Sequence, residues 1–239
     1  MPRSRLSLFS WILAGGFILG TVLRYVDRFN LVATPPDLPD ANMVDRTLSL
    51  TDYFHAIWPV FMWTNLGFAI GFVAVVPFAF NLAAATRLPG GLPTFKSLAA
   101  VGGIIGAIAS IIPIGAAEGK VFVQYCDCGF KETEIVSQLW AQMVAEEIGN
   151  WFLRVAGVAL AIGLFALLRE GRSLVSPLLR TWTSITAIAL ILAAGAAATE
   201  ILSFDAVDIL TSVTAAILVP VWAIWLARSV ETSPGGAPA

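Results

Sequence analysis

The sequence predicts an all-α, polytopic integral membrane protein of six transmembrane helices with both termini in the cytoplasm. Three observations carry that prediction. Of 239 residues, 58% are hydrophobic and only 13% charged, about half the charged share of an ordinary soluble domain. Twenty Gly, eight Trp and fifteen Phe suit a bundle in which small residues let helices approach and aromatic rings sit at lipid interfaces. Apolar runs of roughly 20 residues, the length that crosses a hydrocarbon core about 30 Å thick, recur between charged or Pro/Gly breaks. The net charge of -2 leaves no basic excess for a nucleic-acid partner.

The first span, about Leu6 to Val26, follows Arg3 and Arg5. It resembles a secretory signal, but its apolar run is long and no small-x-small cleavage site precedes Arg24, so a retained helix is expected. The second runs from about Ala56 to Ala84, the third from Leu98 to Ala117 and the fourth from Ile148 to Leu168. Trp182 to Ala198 and Ile209 to Ala227 complete the set. With the N-terminus inside, the inner segments hold eight basic residues and the outer ones five. The positive-inside rule therefore favours cytoplasmic termini and a plasma membrane, the inner membrane of a bacterium.

These spans make residues 1–230 a single membrane domain, with 231–239 a disordered Ser-Pro-Gly-rich tail. The first outer connection, Asp27 to His55, is broken by Pro35, Pro36 and Pro39 and has room for a short surface helix over Asp45 to Thr51. In the second, Glu118 to Ala145, an amphipathic outer segment covers about 132–147. Lys131, Glu134, Gln138 and Gln142 fall on one side of a helical wheel, and Val136, Leu139, Trp140 and Met143 on the other. A helix continuous from Ile135 to Leu168 would measure about 50 Å, more than the hydrocarbon core. Its first part is therefore expected to lie on the surface, bend near Gly149 or project into water. Ile112-Pro113-Ile114 echoes Val219-Pro220-Val221, but proline is common enough in membrane helices for the echo to be coincidence.

The sharpest chemical signal lies in the outer third of the fourth span. Glu147, Asn150, Arg154, Gly157 and Ala161 share an arc of about 80° on a wheel of 100° per residue, with Glu146 beside them. A charge at the membrane centre costs roughly 2.5 to 3.5 kcal/mol on insertion scales, so Arg154 needs a partner and this face is expected to point into the bundle. One reading is a ligand site open to the outer side. The other is a structural ion pair, with Arg154 snorkelling outward along its stem.

Arg24 and Arg28, one turn apart at the outer end of the first span, are candidates for a lipid phosphate or an outer acid. Interface anchoring explains them equally simply. Asn65 is expected to bond another helix or a ligand. Cys126 and Cys128 form a weak redox or metal candidate with His55, the single histidine. A bridge between two cysteines so close would be strained, and the spacing is unlike a structural zinc site. Gly16, Gly20, Gly102, Gly106, Ser110 and the run 193–198 read as packing faces. Trp58, Trp63, Trp140 and Trp151, with Trp182 and Trp225, read as interfacial belts.

No catalytic residue and no cofactor are expected. The leading expectation is a non-enzymatic membrane protein with an outer-facing polar intramembrane pocket that binds or passes a small solute, lipid headgroup or ion. Below Arg154 the fourth span carries only apolar side chains and glycine, which favours a one-sided pocket over a channel. The alternatives are an accessory or scaffolding subunit, bound to a membrane partner or to a second copy, and an outer-facing thiol-redox protein.

Overall fold

The computed structural model describes residues 2–36, 43–86, 88, 90–125, 132–172, 174–199 and 203–232. All regular structure among them is helical: α1 (Pro2–Arg28), α2 (Met43–Thr86), α3 (Pro93–Tyr125), α4 (Glu132–Glu170), α5 (Pro177–Thr199), α6 (Phe204–Val213) and α7 (Val219–Thr232). A π-helical turn, Thr214–Leu218, joins α6 to α7. Counting α6, the π turn and α7 as one, six helices are long and apolar enough to cross a membrane.

Local chemistry sets the helix ends. Pro2, Pro93 and Pro177 open three helices, at the position where a missing N–H costs nothing. Ser203 caps α6 by accepting from the Ala206 N–H. Asn30, at φ 53°, closes α1, and the Leu31 N–H reaches back to the Val26 carbonyl, as in a Schellman turn. Gly90 and Gly91 supply the left-handed turn between α2 and α3.

The helices form a ring in chain order, α1 closing onto α6 and α7. Both ends of the chain meet at one end of this ring, where the Ser7 N–H donates to Glu231. There, too, the Thr94 and Phe95 N–H groups donate to the Glu170 carboxylate. The densest core sits at this terminal end, with Leu6, Leu82, Phe95, Leu167, Leu179 and Leu226 all buried, and Phe78 edge-on to Trp222. At the far end packing thins, and Gly115 and Gly195 face open space.

Close approach replaces bulk where α1 crosses α2. A Cβ on Gly16 would fall 2.4 Å from the Gly71 nitrogen and 2.8 Å from the Gly67 carbonyl oxygen, so only hydrogen fits. Gly20 meets the Phe68 ring, Gly102 lies against Leu160, and Gly106 against the Phe72 ring. These four packing expectations hold. Of the run 193–198, Ala194 is buried, whereas a Cβ added at Gly195 would meet nothing within 4 Å.

Several helices outrun the expected spans. Residues 45–51 do not form a separate surface helix but belong to α2, which is 44 residues long. Residues 118–125 continue α3. The fourth helix is uninterrupted from 132 to 170, and Gly149, the expected bend, packs toward the Ala109 carbonyl. At 39 residues against 23 for α5, α4 exceeds its neighbour by about 24 Å at 1.5 Å per residue. Because α4 and α5 are level at the terminal end, the surplus extends past the far end beside α3.

The proline echo dissolves. Pro113 lies within an unbroken α3, whereas Pro220 follows the π turn, in which the Val219 N–H bonds the Thr214 carbonyl five residues back. Proline has no N–H for the carbonyl four residues earlier, and the wide turn absorbs that register change. Trp182, expected in an interfacial belt, instead donates its indole N–H to the Leu218 carbonyl at 3.2 Å, tying α5 to the π turn.

Candidate functional site

Most polar side chains within the long helices are satisfied on their own helix. Thr21, Asn65, Asn81, Ser110, Thr183 and Thr186 donate to carbonyls four residues back at 2.7 to 2.9 Å. Asn65 therefore does not bond another helix, because the Phe61 carbonyl is nearer to hand. This back-bonding leaves two polar groupings at the far end.

The first is on α4. Arg154 and Glu147 form an ion pair at 3.6 Å, and the guanidinium lies 4.4 Å from the centre of the Trp151 ring, within cation–π range. All three belong to one helix. A guanidinium carries five N–H donors, and among the described residues Arg154 meets only these two side chains. Its side chain is 19% exposed and that of Glu147 55%. The shared face divides along its length. Ala161 is buried, Gly157 lies near the Leu190 carbonyl and Ala194 of α5, and Glu147 and Asn150 are exposed. Only the lower half thus points into the bundle as expected, since α5 ends near the level of Arg154. Glu146 is half-buried beside Glu147.

The second grouping joins α1 to α6. Arg24 contacts Asp208 at 2.7 Å, and Arg28 contacts both Asp208 and Asp205. Asp208 is 3% exposed, the one buried acid among the described residues. The sequence reading assigns it to the outer connection. In the structure it lies inside the helix that carries the sixth apolar run, because two guanidinium groups compensate its burial. Two aspartates of α6 therefore pair with the two arginines. Tyr53 of α2 adds a hydrogen bond from its hydroxyl to Asp27 at 3.4 Å. The sequence signal that points to this cluster is matched spacing: Arg24 and Arg28 four apart on one helix, Asp205 and Asp208 three apart on another.

Beneath this cluster is an open groove of about 460 Å³ between α1 and the α6–π segment, with almost wholly apolar walls. No expectation from sequence anticipates it.

No protein-family model, curated protein or solved structure matches this chain. The geometry alone bears on function.

His55 is exposed at the start of the second apolar stretch. Cys126 and Cys128 lie outside the described residues, so the redox or metal candidate cannot be placed. Among the described residues no three His, Cys, Asp or Glu side chains group as metal ligands.

Proposed function

We propose that this chain is a multi-pass protein of the plasma membrane, with cytoplasmic termini, that binds an anionic solute, ion or lipid headgroup at Arg154 from the outer side. Chemistry on the bound group is not part of the reading. The carrying observation is the guanidinium of Arg154, which among the described residues has one loose ion pair and one ring contact. Within a membrane-spanning stretch such a charge marks a site when its donors outnumber its partners. Asn150, exposed on the same face, would donate to the ligand, which takes the place of Glu147 in its loose 3.6 Å pair. Passage across the membrane is disfavoured, since α4 below Arg154 is apolar and most hydroxyl and amide groups within the other helices bond their own carbonyls.

Thermal unfolding of the detergent-solubilised chain with inorganic phosphate or a short carboxylate tests this reading. The intact chain is expected to gain stability with added anion. Arg154→Gln, with an unliganded midpoint close to wild type, is expected to lose that gain. An equal gain in both would overturn the site.

A second reading, an accessory subunit, draws on a separate observation. On the far-end extension of α4, Trp140 is 62% exposed, with Met143 and Val144 also uncovered, leaving an apolar stripe for a partner helix. A protein co-purifying at fixed stoichiometry in gentle detergent, and lost on Trp140→Ser, supports it. A monomer carrying only a small molecule argues against it.

A further inference from the structure

The groove between α1 and α6 combines three features that the Arg154 reading leaves unused. Thr21, Val22, Tyr25 and Val26 form one wall, and Ser212 and Ala216 belong to the other. The floor is apolar and the groove is open along one side, at the size of a small-molecule site. The π turn forms part of its wall, and such turns recur at functional positions.

A second, independent observation is the Ser212 hydroxyl. The residue is 6% exposed, and its Oγ has no hydrogen-bond partner. A buried hydroxyl of this kind is costly unless something fills the space beside it with an acceptor. Ser212 lies one helical turn, about 6 Å, below Asp208.

The third feature is the charge at the mouth. Two arginines and two aspartates there sum to zero, but their exposure is unequal. Asp208 is sealed and Arg28, 30% exposed, is held between both carboxylates, whereas Arg24 is 42% and Asp205 74% exposed. The accessible face therefore sets the Arg24 cation beside an exposed carboxylate, with Arg28 shared between the two acids. A purely anionic headgroup would meet Asp205 unfavourably, whereas a zwitterion complements both Arg24 and Asp205.

We propose that this groove binds a zwitterionic phospholipid with a primary ammonium headgroup. Its phosphate rests on Arg24, its ammonium donates to Asp205, one acyl chain fills the apolar walls, and rotation of the Ser212 side chain brings its O–H, otherwise sealed in the wall, to an ester carbonyl. A primary ammonium has three donors for the carboxylate and a quaternary one has none, which separates ethanolamine from choline headgroups. The assignment rests on the six helices crossing a membrane, and retention of the chain in carbonate-washed membranes tests that part by itself.

The discriminating experiment is native mass spectrometry of the full chain released from detergent, titrated with phosphatidylethanolamine, phosphatidylcholine or phosphatidylglycerol of identical acyl chains. Ethanolamine lipid is expected to bind about tenfold more tightly than the other two, the equivalent of one charge-assisted hydrogen bond. Asp205→Asn should remove most of that preference, whereas Arg24→Gln should weaken all three lipids alike. Ala216→Leu should abolish retention of all three lipids by filling the groove. Should Ala216→Leu fail to fold, Ser212→Ala serves instead, with a severalfold loss of ethanolamine lipid. Equal binding of the three lipids by the intact chain, a preference for phosphatidylglycerol, or undiminished binding in the folded groove variant would each overturn the proposal. Loss of binding in Arg154→Gln, with Ala216→Leu unaffected, would place the lipid on α4 and overturn it as well.

Discussion

Arg24 and Asp208 meet at 2.7 Å across the seam between the first and last long helices. Like the Ser7–Glu231 hydrogen bond at the terminal end, this contact joins helices far apart in sequence. It closes the ring over more than 180 residues, with Arg28 as a second cation on the same carboxylate. It is also where the densest core gives out, so electrostatics completes what packing begins.

Removing the shared acid should therefore loosen the seam. Asp208→Ala removes the buried acid and leaves two part-exposed guanidinium groups that water can reach, so its cost is that of the lost charge-assisted hydrogen bonds, about 1.5 to 3 kcal/mol. Asp205→Ala, at an exposed carboxylate, should cost about 1 kcal/mol or less. Thermal unfolding in one detergent, comparing the two variants, measures the difference. Equal midpoints would show that Asp208 carries no more than a surface pair.

The α1–α2 crossing should tolerate no side chain. Gly16→Val must push against the Gly71 and Gly67 backbone, and overpacking typically costs about 1 to 3 kcal/mol. Backbone obstruction places this variant at the upper end. Gly195→Ala, with nothing within 4 Å, should leave the melting midpoint unchanged or slightly raised, because alanine restricts the unfolded chain.

Tyr53 supplies a pH test. Burial raises its phenol above the ordinary value, with the Asp27 charge and the hydrogen bond to Asp27 acting in the same direction. The folded chain thus holds the phenolic proton more firmly than the unfolded chain. The resulting stabilisation is fully present below the unfolded value of about 10 and is lost as pH rises through the folded value. Stability should be indifferent to Tyr53 at neutral pH ionisation, then fall above about pH 10 more steeply in wild type than in Tyr53→Phe. Parallel alkaline profiles would remove the linkage.

Orientation is open to direct labelling. With the termini in the cytoplasm, the connection bearing Cys126 and Cys128 lies outside. A membrane-impermeant maleimide added to intact cells should modify both thiols after reduction. Labelling only in inverted vesicles would reverse the proposed topology.

Much of the architecture was legible because apolar length is a one-dimensional signal. Six runs of about 20 residues need no tertiary information, and the structure has six helices of that character. The shared wheel face made Glu147 one of several candidate partners for Arg154, with Asn150 and acids on other helices such as Glu118 and Glu200, and spacing alone did not choose among them. The helical extensions over 43–51 and 118–125 were not legible, because polar residues there interrupt the apolar run without interrupting the helix. Asp208 was hidden by its neighbours: beside Asp205 at the edge of a span it resembled one more outer charge, and its burial depends on two arginines about 180 residues away. Gly67 and Gly71 repeat the four-residue spacing of Gly16 and Gly20, yet only the crossing reveals that the two pairs face each other. The π turn had no signature beyond Pro220.

The glycine crossing has a mechanical consequence. Gly16, Gly20, Gly67 and Gly71 interlock over a full helical turn, and Phe17 sets its ring against Phe68 and Phe72, so the crossing resists both sliding and rocking of α1. Arg24 stands only four residues beyond Gly20, about 6 Å along the axis. The clamp thereby fixes the height at which the first helix presents its arginines to Asp205 and Asp208, and the register of the ring's closing charges is inherited from two pairs of missing side chains.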